Sequence, residues 1–372
     1  MVNRKPKYIL VAPLDWGLGH TARCVPLIAY IRSLGHIPVF AGNASQRSFI
    51  EEIFGGIDFI HLEGYKINYS RWNKWGQAGL LSQMPRILNT INSEHKWLLQ
   101  LSGQRQIDGI ISDNRYGLYH PGIPSVILTH QLRVQTGLWN LADRAVQKIH
   151  YKYLNRFAAT WVVDTPGIPN LGGKLSHTGV LPNRSEYIGL LSRFATMDAD
   201  IVRRGGWNLE FEPLLMVLLS GPEPQRSGLS RILWQQLQSY NSNAIFIEGS
   251  EHAPAPATIP PHITYHKRLA GKELAALLHQ AGIIICRSGY STLMDLVALQ
   301  KKAILIPTPG QTEQEYLGRL LHTQGIFYCT KQNAFHLQTA LNEAQQFPYH
   351  SPSLQQSYTL YKKVLEDWIE TL

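Results

Sequence analysis

Cysteine is scarce in this chain. Its 372 residues hold three, Cys24, Cys286 and Cys329, too few for a disulfide framework and too scattered for a zinc site, so no metal centre is expected and a reducing cytoplasm is the expected setting. Charged residues are few as well, 16% against 44% hydrophobic, which excludes a disordered chain. No apolar run reaches the length of a membrane span. The basic opening Met1-Val2-Asn3-Arg4-Lys5-Pro6-Lys7 leads only into a short strand-like run broken by Pro13 and Asp15, so no signal peptide is expected either. Recognition-helix motifs, zinc fingers and aromatic sheet signatures are lacking, which sets nucleic acid aside as a partner.

What is present is length for two domains and a lopsided charge. Residues 1–182 hold 19 Lys and Arg against 10 Asp and Glu, whereas residues 183–372 hold 16 of each, so the whole net charge of +9 lies in the first half. That bias suits a soluble basic surface or one that meets anions, an anionic bilayer or a phosphorylated acceptor among them. Short apolar runs at Tyr8–Ala12, Ile37–Phe40, Phe59–Leu62, Gly109–Ser112, Ser125–Leu128 and Thr160–Val163 alternate with helical stretches. A second set follows a polar passage near His177–Asn183: Leu214–Leu219, Ala244–Ile247, Ile263–Tyr265, Ile283–Ile285 and Ala303–Ile306. Two doubly wound parallel-sheet α/β domains are expected, over 1–182 and 183–350. In the tail, 351–372, Leu354, Tyr358, Tyr361, Leu365, Trp368 and Leu372 describe one helix with a buried stripe, for which packing back on the first domain is one outcome.

The segment Cys286-Arg287-Ser288-Gly289-Tyr290-Ser291-Thr292-Leu293-Met294-Asp295 follows the run Ile283-Ile284-Ile285 and leads into a helix-like stretch. A strand running into a helix start points free backbone N–H groups and the helix dipole at an anion. Gly289 lets the ligand approach, and Ser288, Ser291 and Thr292 can add donors. Asp295, expected in or near the first turn, can reach a hydroxyl pair such as a ribose. Downstream, Thr312, Glu313, Gln314 and Glu315 bring polar groups to the same sheet edge, where they can meet sugar hydroxyls. Upstream, Ser220-Gly221-Pro222-Glu223-Pro224-Gln225-Arg226 follows the first strand of the second set. Gly221 can shape a ligand loop there and Arg226 can reach a diphosphate, or the segment is an ordinary rigid turn.

In the first half, a strand delivers the chain into Asp15-Trp16-Gly17-Leu18-Gly19-His20-Thr21-Ala22-Arg23. Gly17-x-Gly19-x-x-Ala22 formally matches a dinucleotide fingerprint, yet the second strand ends Phe40-Ala41-Gly42-Asn43, without the acid that would hold an adenine ribose. A histidine at a helix start is biased toward its neutral form, able to act as a base or as a donor. Tyr65, Tyr69, Trp72, Trp75 and Trp97, interleaved with Lys66, Arg71, Lys74 and Arg86, suit either a bilayer interface or a helical insert with buried tryptophans.

Taken together, Gly17-Leu18-Gly19-His20 and the run from Arg287 to Asp295 through Gln314-Glu315 resemble the GT-B glycosyltransferases, of the group typified by the peptidoglycan N-acetylglucosaminyltransferase MurG. The likeness extends in order through Ile123-Pro124-Ser125-Val126-Ile127-Leu128-Thr129-His130-Gln131 and Thr178-Gly179. It implies two Rossmann-like domains facing a cleft and a nucleotide-sugar donor, UDP-linked in most of the group, held mainly by the second domain. By the same resemblance Asp295 matches the ribose-binding acid, Ser288 to Thr292 the diphosphate turn, Gln314 with Glu315 the pair at the donor sugar, and Gly19-His20 the N-terminal glycine loop. The chain departs from the group in having fewer glycines in that loop and a Gln-Glu rather than a Gln-Gln pair.

The function expected from this is an inverting, metal-independent sugar transfer from a nucleotide diphosphate donor to a hydroxyl acceptor, with no added cofactor. The acceptor is a carbohydrate or a lipid-linked glycan, and peripheral association with a membrane follows from the latter. A nucleotide-sugar epimerase or hydrolase, or a non-catalytic nucleotide-sugar-binding protein, are the alternatives. A base must take the acceptor's proton: His20 is the first candidate, Asp113 the second and His130 the third, each closing a strand of the first sheet.

Overall fold

The computed structural model describes residues 5–65, 84–134, 140–195, 214–269 and 271–372. Tyr69, Trp72, Trp75, Lys66, Arg71 and Lys74 lie outside them. The chain divides into two compact units, Met1–Arg193 with Leu354–Leu372, and Phe194–Ser353. The first unit thus runs past residue 182, because one more strand joins its sheet.

That unit follows the order β1 (Tyr8–Pro13), α1 (Gly19–Ser33), β2 (Ile37–Gly42), α2 (Ala44–Phe54), β3 (Asp58–His61), α3 (Met84–Gln104), β4 (Gly109–Asp113), β5 (Ser125–Thr129), α4 (Asn140–Leu154), β6 (Ala159–Val162) and β7 (Ser185–Tyr187). The strands form one parallel sheet in the order β3-β2-β1-β4-β5-β6-β7. Ile9 to Ala12 on β1 and Ile110 and Ile111 on β4 have no exposed surface. These are continuous apolar runs rather than alternating ones, as a parallel sheet covered on both faces requires. The order reverses between β1 and β4, which pair from Ile9↔Gly109 to Pro13↔Asp113, and such a switch point is where α/β sheets bind ligands.

The second unit repeats the plan with β8 (Leu214–Leu218), α5 (Gln225–Leu237), β9 (Ala244–Ile247), β10 (Ile263–His266), α6 (Gly271–Gln280), β11 (Ala281–Cys286), α7 (Tyr290–Ala298), β12 (Ala303–Leu305), α8 (Thr312–Thr323), β13 (Tyr328–Cys329) and α9 (Leu337–Gln346). Its parallel order is β10-β9-β8-β11-β12-β13, with the switch between β8 and β11. Leu215, Val217, Phe246, Ile285 and Ile304 of the sheet pack with Leu229, Leu233 and Leu237 of α5 and Leu337, Ala340 and Ala344 of α9.

The tail is not one long helix. A 3-10 turn, Gln355–Thr359, precedes α10 (Leu360–Glu370). Leu354, Tyr358, Tyr361, Leu365 and Ile369 are buried, and Trp368 meets Trp161 of β6 edge-on at 5.4 Å. A side chain on Gly109 would collide with Trp368, and Lys7 Nζ donates to Leu372 O at 2.6 Å. The tail therefore completes the first unit. Among the described residues no helix is long and apolar enough to cross a membrane.

Candidate functional site

Each unit places a polar centre at the switch point of its sheet. In the first, the chain leaves β1 at Pro13, and Leu14 N donates back to Asp113 O at 2.9 Å. Gly17, at φ +82°, turns the loop in a conformation that side chains disfavour, and Gly19 opens α1. Below the loop sits Gln46. Its oxygen accepts from Asn43 N (3.0 Å) while Asn43 Oδ1 accepts from Gln46 N (3.0 Å), a reciprocal cap at the start of α2. Its amide nitrogen donates to Thr21 Oγ1 at 3.0 Å and to Leu14 O at 3.2 Å, which ties α1 and the glycine loop together.

On this frame the structure brings His20, Asp113 and His130 to one place, around Arg23. Arg23 stands one turn beyond His20 on the same face of α1. Its Nε donates to Asp113 Oδ2 at 2.8 Å and its Nη2 to Asp113 Oδ1, a bidentate pair. Its Nη1 lies 3.1 Å from His130 Nδ1 and its Nη2 2.9 Å from His20 Nδ1. His20 Nδ1 is also 3.1 Å from Asp113 Oδ2.

The three candidate bases are not equivalent. Asp113 has no exposed surface. Burial alone would raise its pKa, but the charges of Arg23 and His20 and their hydrogen bonds hold the carboxyl well below the usual carboxylate range. A carboxyl held that low is poorly suited to collecting a substrate proton, and its side-chain partners are Arg23 and His20. His130 is 5% exposed, and its Nδ1 faces a donor. The His20 side chain keeps 16% of its surface open. Its pKa is lowered by burial first and then by the Arg23 charge, against the pull of Asp113, so the ring is neutral near pH 7. The thiol of Cys24 is pushed up by burial and by Asp113.

A second buried arginine braces the same loop. Arg115 donates from Nε to Pro13 O at 2.9 Å and from Nη1 to Glu94 Oε1 at 2.8 Å, and Tyr65 donates to Glu94 Oε2 at 2.8 Å. Tyr65 is thus a core residue, and Trp97 packs beside Leu98 and Ile110. Both belong to the interior rather than to an interface.

In the second unit the helix start is as expected, but several side chains have other duties. Gly289 is the N-cap of α7, with open space where a Cβ would stand and no side-chain cap hydrogen bond, the geometry in which a helix start can meet an anion. Ser291 and Thr292 lie half-buried on that turn. Arg287 is 2% exposed and bound to backbone carbonyls. Its Nη1 donates to Ile306 O and Pro307 O, each at 3.1 Å, and its Nη2 to Gln225 O at 2.9 Å. Burial lowers its pKa to about 10. Ser288 is also buried, and its Oγ donates to Gln314 O at 2.8 Å. Arg226 is committed to two carboxylates, Glu248 through Nη1 at 2.6 Å and Glu223 through Nη2, which takes it out of the expected diphosphate contact. Gly221, at φ +102°, shapes the loop after β8. Asp295 sits in the second turn of α7, not the first. Gln314 Oε1 accepts from Thr308 N and Glu315 Oε1 from Gly310 N, both at 2.9 Å, so this pair holds the loop before α8 and keeps one polar atom each for a ligand.

Residues 269–361 match the glycosyltransferase family 28 C-terminal domain. A UDP-N-acetylglucosamine--N-acetylmuramyl-(pentapeptide) pyrophosphoryl-undecaprenol N-acetylglucosamine transferase of Desulforudis audaxviator is 39% identical over 89 residues, which is 23% of this chain and 22% of that protein. The chain thus aligns with about a fifth of that relative's length. Among solved structures, the glycosyltransferase SnogD from Streptomyces nogalater superposes with a TM-score of 0.64 at 15% identity, over 99% of this chain and 100% of its own. The MurG of Acinetobacter baumannii does so with a TM-score of 0.54 at 12% identity, with the same coverage. The fold is that of the two-domain GT-B glycosyltransferases.

Proposed function

We propose that the chain is an inverting, metal-independent glycosyltransferase that moves a sugar from a nucleotide diphosphate donor, a UDP-sugar, to a hydroxyl acceptor. The observation that carries this reading is the open start of α7 at Gly289 inside the matched segment 269–361. The name of the Desulforudis audaxviator relative gives a UDP-sugar as donor and a pyrophosphoryl-undecaprenol glycan as acceptor.

In this reading the donor diphosphate lies on the N–H groups of Gly289 to Thr292, with Ser291 and Thr292 adding hydroxyls, Asp295 on the ribose, and Gln314 Nε2 and Glu315 Oε2 on the sugar. The acceptor oxygen attacks the anomeric carbon as the bond to the diphosphate breaks. The departing oxygens gain negative charge, which the helix start stabilises through dipole and N–H groups already in place, a role a cation fills in other transferases. His20 takes the acceptor's proton on Nε2 while Nδ1 donates to Asp113, which stays ionised throughout.

The acceptor falls to the first unit. On its surface Arg144, Lys148, Lys152 and Arg156 follow one another at four-residue spacing along and just beyond α4, all exposed, with Ile149 half-exposed among them. A basic row with apolar side chains suits peripheral contact with an anionic bilayer that holds a lipid-linked acceptor. Incubation of the protein with UDP-sugars and polyprenyl phosphate glycans, read by mass spectrometry, tests the reading. Turnover to epimer or free sugar without acceptor would replace it with the epimerase or hydrolase alternative.

A further inference from the structure

Arg23 is 1% exposed. A guanidinium donates hydrogen bonds and never accepts them, at any pH at which the protein is folded. The nitrogen facing Arg23 Nη1, His130 Nδ1 at 3.1 Å, is therefore a bare acceptor, and His130 carries its hydrogen on Nε2. His20 is less simple, since its Nδ1 stands between an acceptor, Asp113 Oδ2 at 3.1 Å, and a donor, Arg23 Nη2 at 2.9 Å.

Asn114 resolves the conflict. The amide orientation that satisfies its surroundings has the nitrogen donating to Leu128 O at 3.2 Å and Thr129 Oγ1 at 3.0 Å, which turns the oxygen to Arg23 Nη2 at 3.2 Å. Nη2 has two hydrogens. With one on Asp113 Oδ1 and the other on Asn114, none remains for His20. The histidine then donates from Nδ1 to Asp113 and keeps the Nε2 lone pair for a substrate. Without Asn114 the second hydrogen goes to His20 Nδ1, the ring proton moves to Nε2, and the basic nitrogen is turned inward.

We propose that Arg23 and Asn114 are positioning residues that act through His20: Arg23 sets a fixed positive charge against the ring and holds Asp113, and Asn114 selects the tautomer whose Nε2 is free. The inference rests on the reading of His20 as the base. Among the described residues, the charged and titratable groups facing the ring are Arg23 on its own helix, Asp113 from β4 and His130 beyond β5. Asn114 occupies left-handed backbone at φ 55°, so Asn114→Gly removes the amide and suits the conformation.

Nitrogen NMR of the histidine side chains tests this without substrate. In the unmodified protein the His20 proton is expected on Nδ1 and that of His130 on Nε2. Asn114→Gly should move the His20 proton to Nε2 and lower kcat at least about tenfold with little change in KM. Arg23→Gln leaves Asp113 uncompensated and removes a repelling charge. The His20 titration should then rise by at least about one pH unit, carrying the acidic limb of kcat/KM with it. A His20 proton on Nε2 in the unmodified protein, an Asn114→Gly tautomer like the original, or an unmoved titration in folded Arg23→Gln would overturn the proposal. Where Arg23→Gln does not fold, the Asn114→Gly tautomer decides. Full transfer by His20→Ala, with the NMR results as expected, would remove His20 as base and leave the proton arrangement standing.

Discussion

Arg287 donates to the carbonyl oxygen of Gln225 at 2.9 Å, so the loop leaving β11 is pinned to the start of the helix that follows β8. The same guanidinium reaches Ile306 O and Pro307 O. One cation thereby fixes three backbone segments around the switch point of the second sheet. Arg287→Ala should lower the unfolding free energy by about 3 kcal/mol, the scale of losing charged hydrogen bonds and leaving carbonyls unmet. Urea titration measures it. Ser291→Ala should leave that stability within about 0.5 kcal/mol and weaken UDP binding, and the reverse pattern would reassign both residues.

His20→Ala should reduce kcat by about 10² to 10⁴. Asp113→Asn should reduce it too, through loss of the tautomer and of the Arg23 pair, with a fall in stability that His20→Ala does not share. Because the ring's folded pKa lies below 6.5, the acidic limb of kcat/KM should fall below that value. A limb above pH 7 would contradict the burial and Arg23 effects. Steady-state rates across pH supply the answer.

Acid stability has a separate source in His150. The ring is buried, Tyr116 OH lies 3.0 Å from its Nε2, and burial lowers its pKa from 6.5 to about 4. Below pH 6.5 the unfolded chain takes up a proton that the folded one refuses, so stability falls as the pH drops from 6.5 to about 4, by roughly 3 kcal/mol in all. Above pH 6.5 the group contributes no slope. His150→Phe should flatten this window in thermal unfolding measured against pH, and an unchanged slope would place the acid sensitivity elsewhere.

The basic row on α4 gives a prediction about membranes. Lys148→Glu with Lys152→Glu should reduce co-sedimentation with vesicles rich in phosphatidylserine by roughly 1 kcal/mol or more per charge, and added salt should reproduce the loss. Binding that ignores both would exclude this face.

The paired parallel sheets were legible because buried parallel strands are continuous apolar runs, and the ends of β1, β4, β5 and β11 fell where such runs met polar residues. The short strands β7 and β13 were not, since Ser185-Glu186-Tyr187 and Tyr328-Cys329 are too brief for any periodicity. His20, Asp113 and His130 are separate candidates in the sequence, and nothing in their separations, 93 residues from His20 to Asp113 and 17 from Asp113 to His130, indicates that Arg23 joins them. A signal for Arg23 did exist: it is a lone charge within the otherwise apolar helix stretch Thr21 to Ile28, one turn from His20. Asn-x-x-Gln at Asn43 and Gln46 likewise announces a helix cap, though not that the glutamine amide reaches Thr21. Arg287 and Arg226 are bonded within the fold to groups their sequence neighbours do not announce. A sequence shows a cation beside a loop but not the carbonyls or carboxylates that already occupy it.

The return of the tail to the first unit makes the second an insertion in topological terms: residues 194–353 interrupt a body whose two ends in sequence are 1–193 and 354–372. On the ribosome, the second unit has all its residues before the first has Tyr361, Leu365 and Ile369 to cover its floor. Burial of Leu354, Tyr358 and those three side chains is worth roughly 10 kcal/mol, on the scale of a whole domain's stability. The first unit is therefore the later of the two to become stable, and the polar centre around His20 settles only once α10 has emerged.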